Sequence, residues 1–445
     1  MWSEQLNKVG ISHIILMSLV LHVFVIAQPQ NFQLWDESIF LELTRNFIKM
    51  EDHTPYQLPG SYLFAGTAIT IFGDNWFSWR APSVIFGMLT LLVFYKISCR
   101  FTTEKNALFA TLILSFDTIF FIHSTLFVRD VIVMFFGMLS LYLYFSKKYY
   151  LAAVVLGFSF FIKETTVFFL MFLMMFYLVK NKPWKNRFVK KKPILFLAVV
   201  SGTFLAILWM YDVSFNPVIY DPMIPTQKSV DGRDIPIAYP ELRLRESRGY
   251  VHQTEVGVVT NPIQHLDIFL NSGYVSSDAY KIKNWNVVHT NYPWSWILPL
   301  TPPEKGNSLG WVNEKNLNFT EDRTRQIGKV FAIKWNGDPN VPLWVIGFWG
   351  SIVFVLYSIK KQNQSTLFVG IGMISMYVPY LLLSITGRVM FPYYFIYTVP
   401  FVSLGIVLLI DVIKQKRLRT FSNLILLGIV VWWFVLHYPL QILTL

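Results

Sequence analysis

The stretch ISHIILMSLVLHVFVIAQPQNFQLWDES, residues 11–38, decides how this chain is read. From Ile11 to Ala27 no Asp, Glu, Lys or Arg occurs, and Trp35-Asp36-Glu37-Ser38 then brings two adjacent carboxylates. A helix needs roughly 20 mostly apolar residues to cross about 30 Å of hydrocarbon, so the first element reads as a membrane helix with an acidic pair at its mouth. No convincing small-residue cleavage site follows Ala27, and the segment is expected to be retained rather than removed as a leader. Outward from there the composition agrees. Of 445 residues, 54% are hydrophobic, 17% aromatic and only 14% charged, with a mean hydropathy of +0.46. Soluble chains carry about 25% charged residues, so this one cannot cover its surface in water, and collagen-like, disordered and disulfide-rich classes are excluded with the soluble enzymes. The lone cysteine, Cys99, has no intramolecular partner.

About eleven spans of the required length are expected: Ile11–Ala27, Ala81–Tyr95, Ala107–Ile122, Leu126–Phe145, Tyr149–Phe161, Thr165–Val179, Pro193–Tyr211, Leu343–Ile359, Thr366–Ile385, Phe391–Ile413 and Ser422–Leu436. The 38 Lys+Arg against 26 Asp+Glu give a net charge of +12. Much of that excess lies in short runs between apolar segments, which points to topology and not to nucleic acid. Threading the spans in order puts Lys96/Arg100/Lys105, Lys147/Lys148, the run Lys180 to Lys192, Lys360/Lys361 and Lys414/Lys416/Arg417/Arg419 on one side. The positive-inside rule makes that side cytoplasmic, with the N-terminus inside and the C-terminus outside. Three units follow: 1–211, a membrane module that includes an outer loop at 29–80; 212–341, a small mixed outer domain; and 342–445, the last transmembrane helices. Both outer segments exceed the length of simple connectors, so the chemistry is expected there. Within the first, Ile39, Phe40, Leu43 and Phe47 recur at helical spacing, an amphipathic helix in the interface.

Asp36 and Glu37 read in two ways. They could cap the interfacial helix and favour its positive end, or one could take a proton from a nucleophile in a partly dry site. Asp117 and Asp130 sit within or near spans, where an ionisable residue costs about 2.5–3.5 kcal/mol to insert and is a functional candidate by default. Arg129 could pair with Asp130 or snorkel, and Lys163-Glu164 could be a plain turn. Arg80 and Arg388 stand at outer helix ends, where anchoring is the usual duty of basic residues. Together these cations could neutralise a phosphate without a metal, because Arg offers bidentate donors and Lys a point charge. His13 and His22 read as packing or polar contacts between helices. Asn318-Phe319-Thr320 is a sequon on the outer side. No DxD, HExxH, P-loop, GxSxG or CxxC element occurs, which argues against such hydrolases and nucleotide-driven pumps.

Further blocks carry a family resemblance. Gln57-Leu58-Pro59-Gly60-Ser61-Tyr62 resembles an HPPLG segment, with Gln57 where His is usual. Gly73, Trp79-Arg80-Ala81-Pro82 and Gly87 resemble G…R.P…G, and Asp117 with Ser124…Asp130 resembles D…SR…LD, with Thr125 at the usual arginine position and Arg129 nearby. Lys163 matches a lysine after the fifth span. His289, Tyr292 and Trp294-Ser295-Trp296 resemble HPYxSxxWxW, and Arg388 to Phe395, running on to Pro400-Phe401, resembles R..F.YHY…PF with Tyr394 in place of His. In order and topology these blocks resemble the protein O-mannosyltransferase family of the GT-C glycosyltransferases, and also the aminoarabinose transferases of lipid A. The outer loop is too short for three MIR repeats, so the likeness is to prokaryotic or archaeal members.

The resemblance implies an all-α polytopic GT-C membrane fold and an inverting transfer of a sugar, mannose first, from a dolichyl or polyprenyl phosphate to Ser/Thr hydroxyls of proteins. Asp36 and Glu37 would be catalytic, Asp36 as the base; Arg80, Lys163, Arg388 and Arg129 would hold the donor phosphate. Asp130, Gln57, Trp294, Trp296, Tyr393 and Tyr394 would position sugar or acceptor. No cofactor and no metal would be required. The implied partners are the lipid-linked donor, an acceptor protein or lipid, and membrane lipids, but no nucleic acid, with a dimer left open. The site would face outward at the plasma membrane, or into the ER lumen of a eukaryote. The same chemistry on a lipid or glycan acceptor, a transporter of a lipid-linked or anionic substrate, and a non-catalytic scaffold remain as alternatives.

Overall fold

The computed structural model describes residues 10–28, 37–50, 57–181, 191–220, 226–228, 234–236, 255–279, 293–298, 324–327, 331–334, 339–361, 363–386 and 390–442. The N-terminal half builds helices α1 (Ile11–Ile26), α2 (Glu37–Ile48), α3 (Tyr62–Phe72), α4 (Trp76–Ser98), α5 (Glu104–Ser115), α6 (Thr118–His123), α7 (Arg129–Phe145), α8 (Tyr149–Ile162), α9 (Val167–Asn181) and α10 (Lys191–Phe215). After α11 (Pro262–Ala279) come α12 (Val341–Ser358), α13 (Gln364–Ile385), α14 (Val399–Asp411) and α15 (Lys416–His437). Among the described residues, six stretches are long and apolar enough to cross a membrane: Trp76–Ser98, Glu164–Asn181, Lys192–Phe215, Val341–Ser358, Gln364–Ile385 and Lys416–His437. The helices Ile11–Ile26, Tyr62–Phe72, Tyr149–Ile162 and Val399–Asp411 are apolar but shorter. This is an integral membrane protein of all-α architecture.

Each stretch read as a span holds a helix, with three instructive differences in detail. The third is broken at Phe116 and Asp117 into α5 and α6. Asp117 caps α6 by accepting from the Phe120 N–H (2.8 Å), and the freed Phe116 carbonyl accepts from the Asn340 side-chain amide (3.1 Å). A broken helix within a bundle survives only if its loose backbone groups find such partners. The tenth span begins with a tight turn, Pro392–Tyr397, and becomes α-helical only at Val399. The helix α3 was not anticipated: its eleven apolar residues are too few to read as a span.

Among the described residues the core is one large aromatic-rich cluster with two smaller ones, around Phe121 and around Tyr211. α4 packs along α7, α7 along α8, α8 along α10 and α12 along α14. At Gly87 on α4 a Cβ would come within 2.6 Å of the Ser124 side chain, so only glycine lets the loop after α6 lie against α4. Among the described residues six strands lie in segment 212–341: β1 (Val218–Tyr220) pairs antiparallel with β4 (Glu255–Val258), and β2 (Thr226–Lys228) with β3 (Asp234–Pro236). A third sheet runs β5 (Thr324–Ile327), β6 (Phe331–Lys334), β7 (Leu440–Ile442). The pairing of β6 with β7 joins the strand after α15 to the sheet formed by 324–334.

Candidate active site

The first turn of α2 carries Glu37, fully buried. Arg80, in the second turn of α4 and equally buried, donates its Nε–H to Glu37 Oε1 (3.0 Å) and an Nη2–H to Oε2 (2.8 Å). The Phe127 backbone N–H donates to the same Oε1 (2.9 Å). Arg–carboxylate forks of this kind give orientation as well as energy. Glu37 therefore binds α2, α4 and the loop before α7 together and fixes the plane of the Arg80 guanidinium.

Asp130, next to Arg129 in the first turn of α7, forms a second centre. Its Oδ1 accepts from Lys163 Nζ (2.7 Å) and from the Tyr397 hydroxyl (2.8 Å), while His123 Nδ1 stands 3.9 Å from Oδ2. Tyr397 spends its proton on Asp130, so the Thr165 hydroxyl at 3.0 Å acts as donor to it. Arg129 lies between the two centres in sequence and rests its guanidinium over the Phe40 ring of α2 at 4.7 Å, within cation–π range. Its Nε is buried and has no hydrogen-bond acceptor among the described residues. Arg80 and Lys163 thus each meet a carboxylate in a largely dry region, with Arg129 beside Asp130 in sequence, and an anion that reached these cations would meet little competition from water.

Aromatic side chains continue from Asp130. The His123 ring lies 5.4 Å from Tyr393, Tyr393 lies 4.4 Å from Tyr394, and Tyr394 stacks on Tyr380 at 5.0 Å. Trp296, buried, is 6.3 Å from Tyr380. The short turn Pro293–Trp296 is clamped from α13 by the Tyr377 hydroxyl on the Pro293 carbonyl (2.8 Å) and from α12 by Trp349 on the Ile297 carbonyl (2.9 Å). Trp294 of the same turn is 42% exposed, so the two tryptophans face different surroundings. Gln57 accepts from the Tyr62 hydroxyl (3.4 Å). Its segment docks through the Gly60 N–H on the Phe161 carbonyl (3.0 Å), two residues before Lys163.

Of the residues singled out from the sequence, Glu37, Arg80, Arg129, Asp130 and Lys163 come together, and Tyr393, Tyr394 and Trp296 continue from them. Asp36, Arg388, His289, Tyr292 and Asn318 lie outside the described residues. Asp117 stands apart from this network: its second oxygen takes the Trp344 indole N–H (2.7 Å) and ties α6 to α12. His22 packs its ring 4.0 Å from Phe121 and bonds the Ser18 carbonyl. The sequence reading missed Tyr397, Thr165, His123 and the Phe127 amide. Outside this region, Arg45 grips Asp74 (2.7 Å), and that hydrogen bond holds the Asp74 carboxyl below the usual carboxylate range.

Comparison with known proteins bears on this arrangement. Residues 52–210 match the family model described as dolichyl-phosphate-mannose-protein mannosyltransferase, a segment that contains Arg80, Arg129, Asp130 and Lys163. No curated protein matches the sequence. Among solved structures, the fold resembles the S. cerevisiae protein O-mannosyltransferase Pmt1-Pmt2 complex bound to the sugar donor, with a TM-score of 0.60, 11% identity, and coverage of 99% of this chain and 90% of that one. It also resembles ArnT from Cupriavidus metallidurans bound to undecaprenyl phosphate (TM-score 0.55, 10% identity, 94% and 62% coverage). A third likeness is to the Archaeoglobus fulgidus oligosaccharyltransferase in the apo form (TM-score 0.53, 13% identity, 97% of this chain), of whose length the chain spans 56%. Identities this low speak for fold. Over residues 52–210 the chain resembles the dolichyl-phosphate-mannose-protein mannosyltransferase family, and over nearly its whole length its fold resembles that of these three membrane proteins.

Proposed function

We propose that this chain is an inverting glycosyltransferase that moves a mannosyl unit from a dolichyl or polyprenyl phosphate to Ser or Thr hydroxyls of proteins on the extracytoplasmic side of the membrane. The observation that carries the reading is the buried pairing of Arg80 with Glu37 and of Lys163 with Asp130, with Arg129 next to Asp130 in sequence and over the Phe40 ring, within or beside the segment that matches the mannosyltransferase model. In this reading the acceptor oxygen attacks C1 of the sugar and its proton passes to the Asp36 carboxylate. The C1–O bond to phosphate breaks, its electron pair stays on the phosphate, and the anomeric centre inverts. One displacement needs one base. Charge grows on the departing phosphate, where fixed guanidinium and ammonium groups stabilise it without reorganising. Glu37 holds Arg80 in place, Asp130 does the same for Lys163, and Trp296, Tyr393 and Tyr394 offer ring faces to a sugar or peptide. No step of this scheme calls on a metal. Two of the structurally similar proteins are bound to a sugar donor and to undecaprenyl phosphate, which agrees with a lipid-phosphate donor here.

The test is transfer from radiolabelled dolichyl phosphate mannose by the purified chain in liposomes, with a Ser/Thr-rich peptide and a lipid extract offered together. Label in the peptide supports the reading. Label confined to lipid moves the acceptor to a lipid or glycan, and label in neither, with the protein folded, refutes mannosyl transfer.

A further inference from the structure

At the other end of the same helices lies a cavity that the proposed reaction does not use. About eighteen helical steps of about 1.5 Å separate Arg80 from Ser98 on α4, so this end is about 27 Å from the charged site. The cavity encloses about 570 Å³ between the ends of α7, α9 and α10. Arg100, Lys147, Lys180 and Lys192 line it, and among the described residues no Asp or Glu does. Arg100 is fixed: it donates to the Phe145 carbonyl (2.9 Å) and to Ser146 Oγ (2.7 Å) and lies over the Tyr142 ring. The three lysines are exposed, and among the described residues no carboxylate pairs with them.

Lys147 carries a second mark. It adopts φ 64° just after α7, where its N–H and that of Lys148 close the helix on the Tyr144 and Leu143 carbonyls. Glycine is the unstrained residue at such a helix end, yet a lysine stands there with its side chain at the cavity. The aromatic walls, Tyr144, Tyr149 and Phe196 among them, suit a site that is half in the interface. The mouth adjoins Ile194 and Leu195 of α10, which are 67% and 48% exposed, on a helix whose apolar window is only 22% buried.

We propose that this cavity binds the phosphate diester headgroup of an anionic phospholipid, with the acyl chains running out along α10. The cations supply the anion site, the lack of carboxylates among its described lining residues leaves their charge uncancelled, and the apolar exit favours a lipid over a soluble phosphate ester. Basic pockets between membrane helices recognise acidic headgroups by this chemistry. The proposal is independent of the sugar, the acceptor and the base at the opposite end.

The experiment is native mass spectrometry of the full chain released from micelles that hold equal amounts of phosphatidylglycerol and phosphatidylcholine with identical chains. The anionic lipid is expected to be retained in about tenfold excess, in keeping with several basic residues acting on one headgroup. Lys147→Asn, Lys180→Gln and Lys192→Gln together should bring the ratio close to one; asparagine tolerates the left-handed turn, so the fold is kept. Lys180→Gln alone, at an exposed helix end, should lower the ratio part of the way and serves if the triple variant fails to fold. Lys416→Gln with Arg417→Gln, basic positions at the same end but outside the cavity, should leave it unchanged. A ratio near one in the native chain overturns the proposal. So does an equal drop in the control variant, which would mean diffuse surface charge, or displacement of the lipid by equimolar glycerol phosphate, which would mean a soluble ligand.

Discussion

Replacing Glu37 by glutamine tests the internal logic of the site, because it preserves shape while removing a charge. Arg80 Nε–H at 3.0 Å and the Phe127 N–H at 2.9 Å both reach Oε1, and Arg80 Nη2–H at 2.8 Å reaches Oε2. The better placement of the amide puts its oxygen at the two-donor position and turns its NH2 against Arg80 Nη2, so one hydrogen bond becomes a donor–donor contact. Hydrogen bonds to charged groups are worth about 1.5–3 kcal/mol each, and a buried ion pair that loses one partner costs about 3–5 kcal/mol because the remaining charge is uncompensated. Glu37→Gln should therefore destabilise the fold by about 3–5 kcal/mol, and Arg80→Leu by a similar amount. The double variant Glu37→Leu/Arg80→Leu should lose far less than the sum, since no buried charge is stranded. Equilibrium unfolding in mixed micelles of SDS and a mild detergent measures all three. Single losses below about 1 kcal/mol, or strictly additive losses, would refute the claim that this pair holds α2 to α4.

Three further outcomes follow from particular contacts. Tyr397→Phe removes one donor from Asp130 and leaves Lys163 in place; it should cost about 1–2 kcal/mol of stability and lower transfer while the chain stays folded, as read by unfolding and by the transfer assay. Trp344→Phe strands the second oxygen of Asp117, a buried acceptor, and should destabilise by about 1–3 kcal/mol, measured by unfolding in micelles. Asp74 is held below its usual range by Arg45. Its folded form therefore binds protons less readily than its unfolded form, and the contribution is present above about pH 4 and lost as pH falls through the lower folded value. Because the pair is partly exposed, Asp74→Asn should remove at most about 1 kcal/mol at neutral pH and flatten the acid limb of the stability profile.

Much of the fold was legible because membrane helices announce themselves: an apolar run of the right length between charged loops admits few other structures. The break at Phe116–Asp117 was not, since its stability depends on Asn340, more than two hundred residues away. Pro392 and Pro400 both stand in the tenth span, and run length alone did not reveal that the chain makes a tight turn there before α14 begins. In the site, charge was the readable signal: Glu37, Arg80, Arg129, Asp130 and Lys163 were each picked out because an ionisable group near a span needs a reason. Tyr397 carries no such signal; a tyrosine in an apolar stretch looks like packing until its hydroxyl is found on Asp130. The Phe127 amide is invisible to any reading of side chains. The resemblance added Gln57, Trp296, Tyr393 and Tyr394, residues whose chemistry alone would not have chosen them.

The central claim is that a fixed cation cluster receives a lipid phosphate and that a separate carboxylate, Asp36, takes the acceptor proton. Binding of dolichyl phosphate to the reconstituted chain, followed by 31P NMR beside turnover in the same samples, tests it most directly. Asp36→Asn is predicted to retain the bound phosphate resonance of the native chain and lose turnover, while Lys163→Gln loses the bound resonance. Native turnover in Asp36→Asn, or an unchanged bound resonance in Lys163→Gln, would contradict the account.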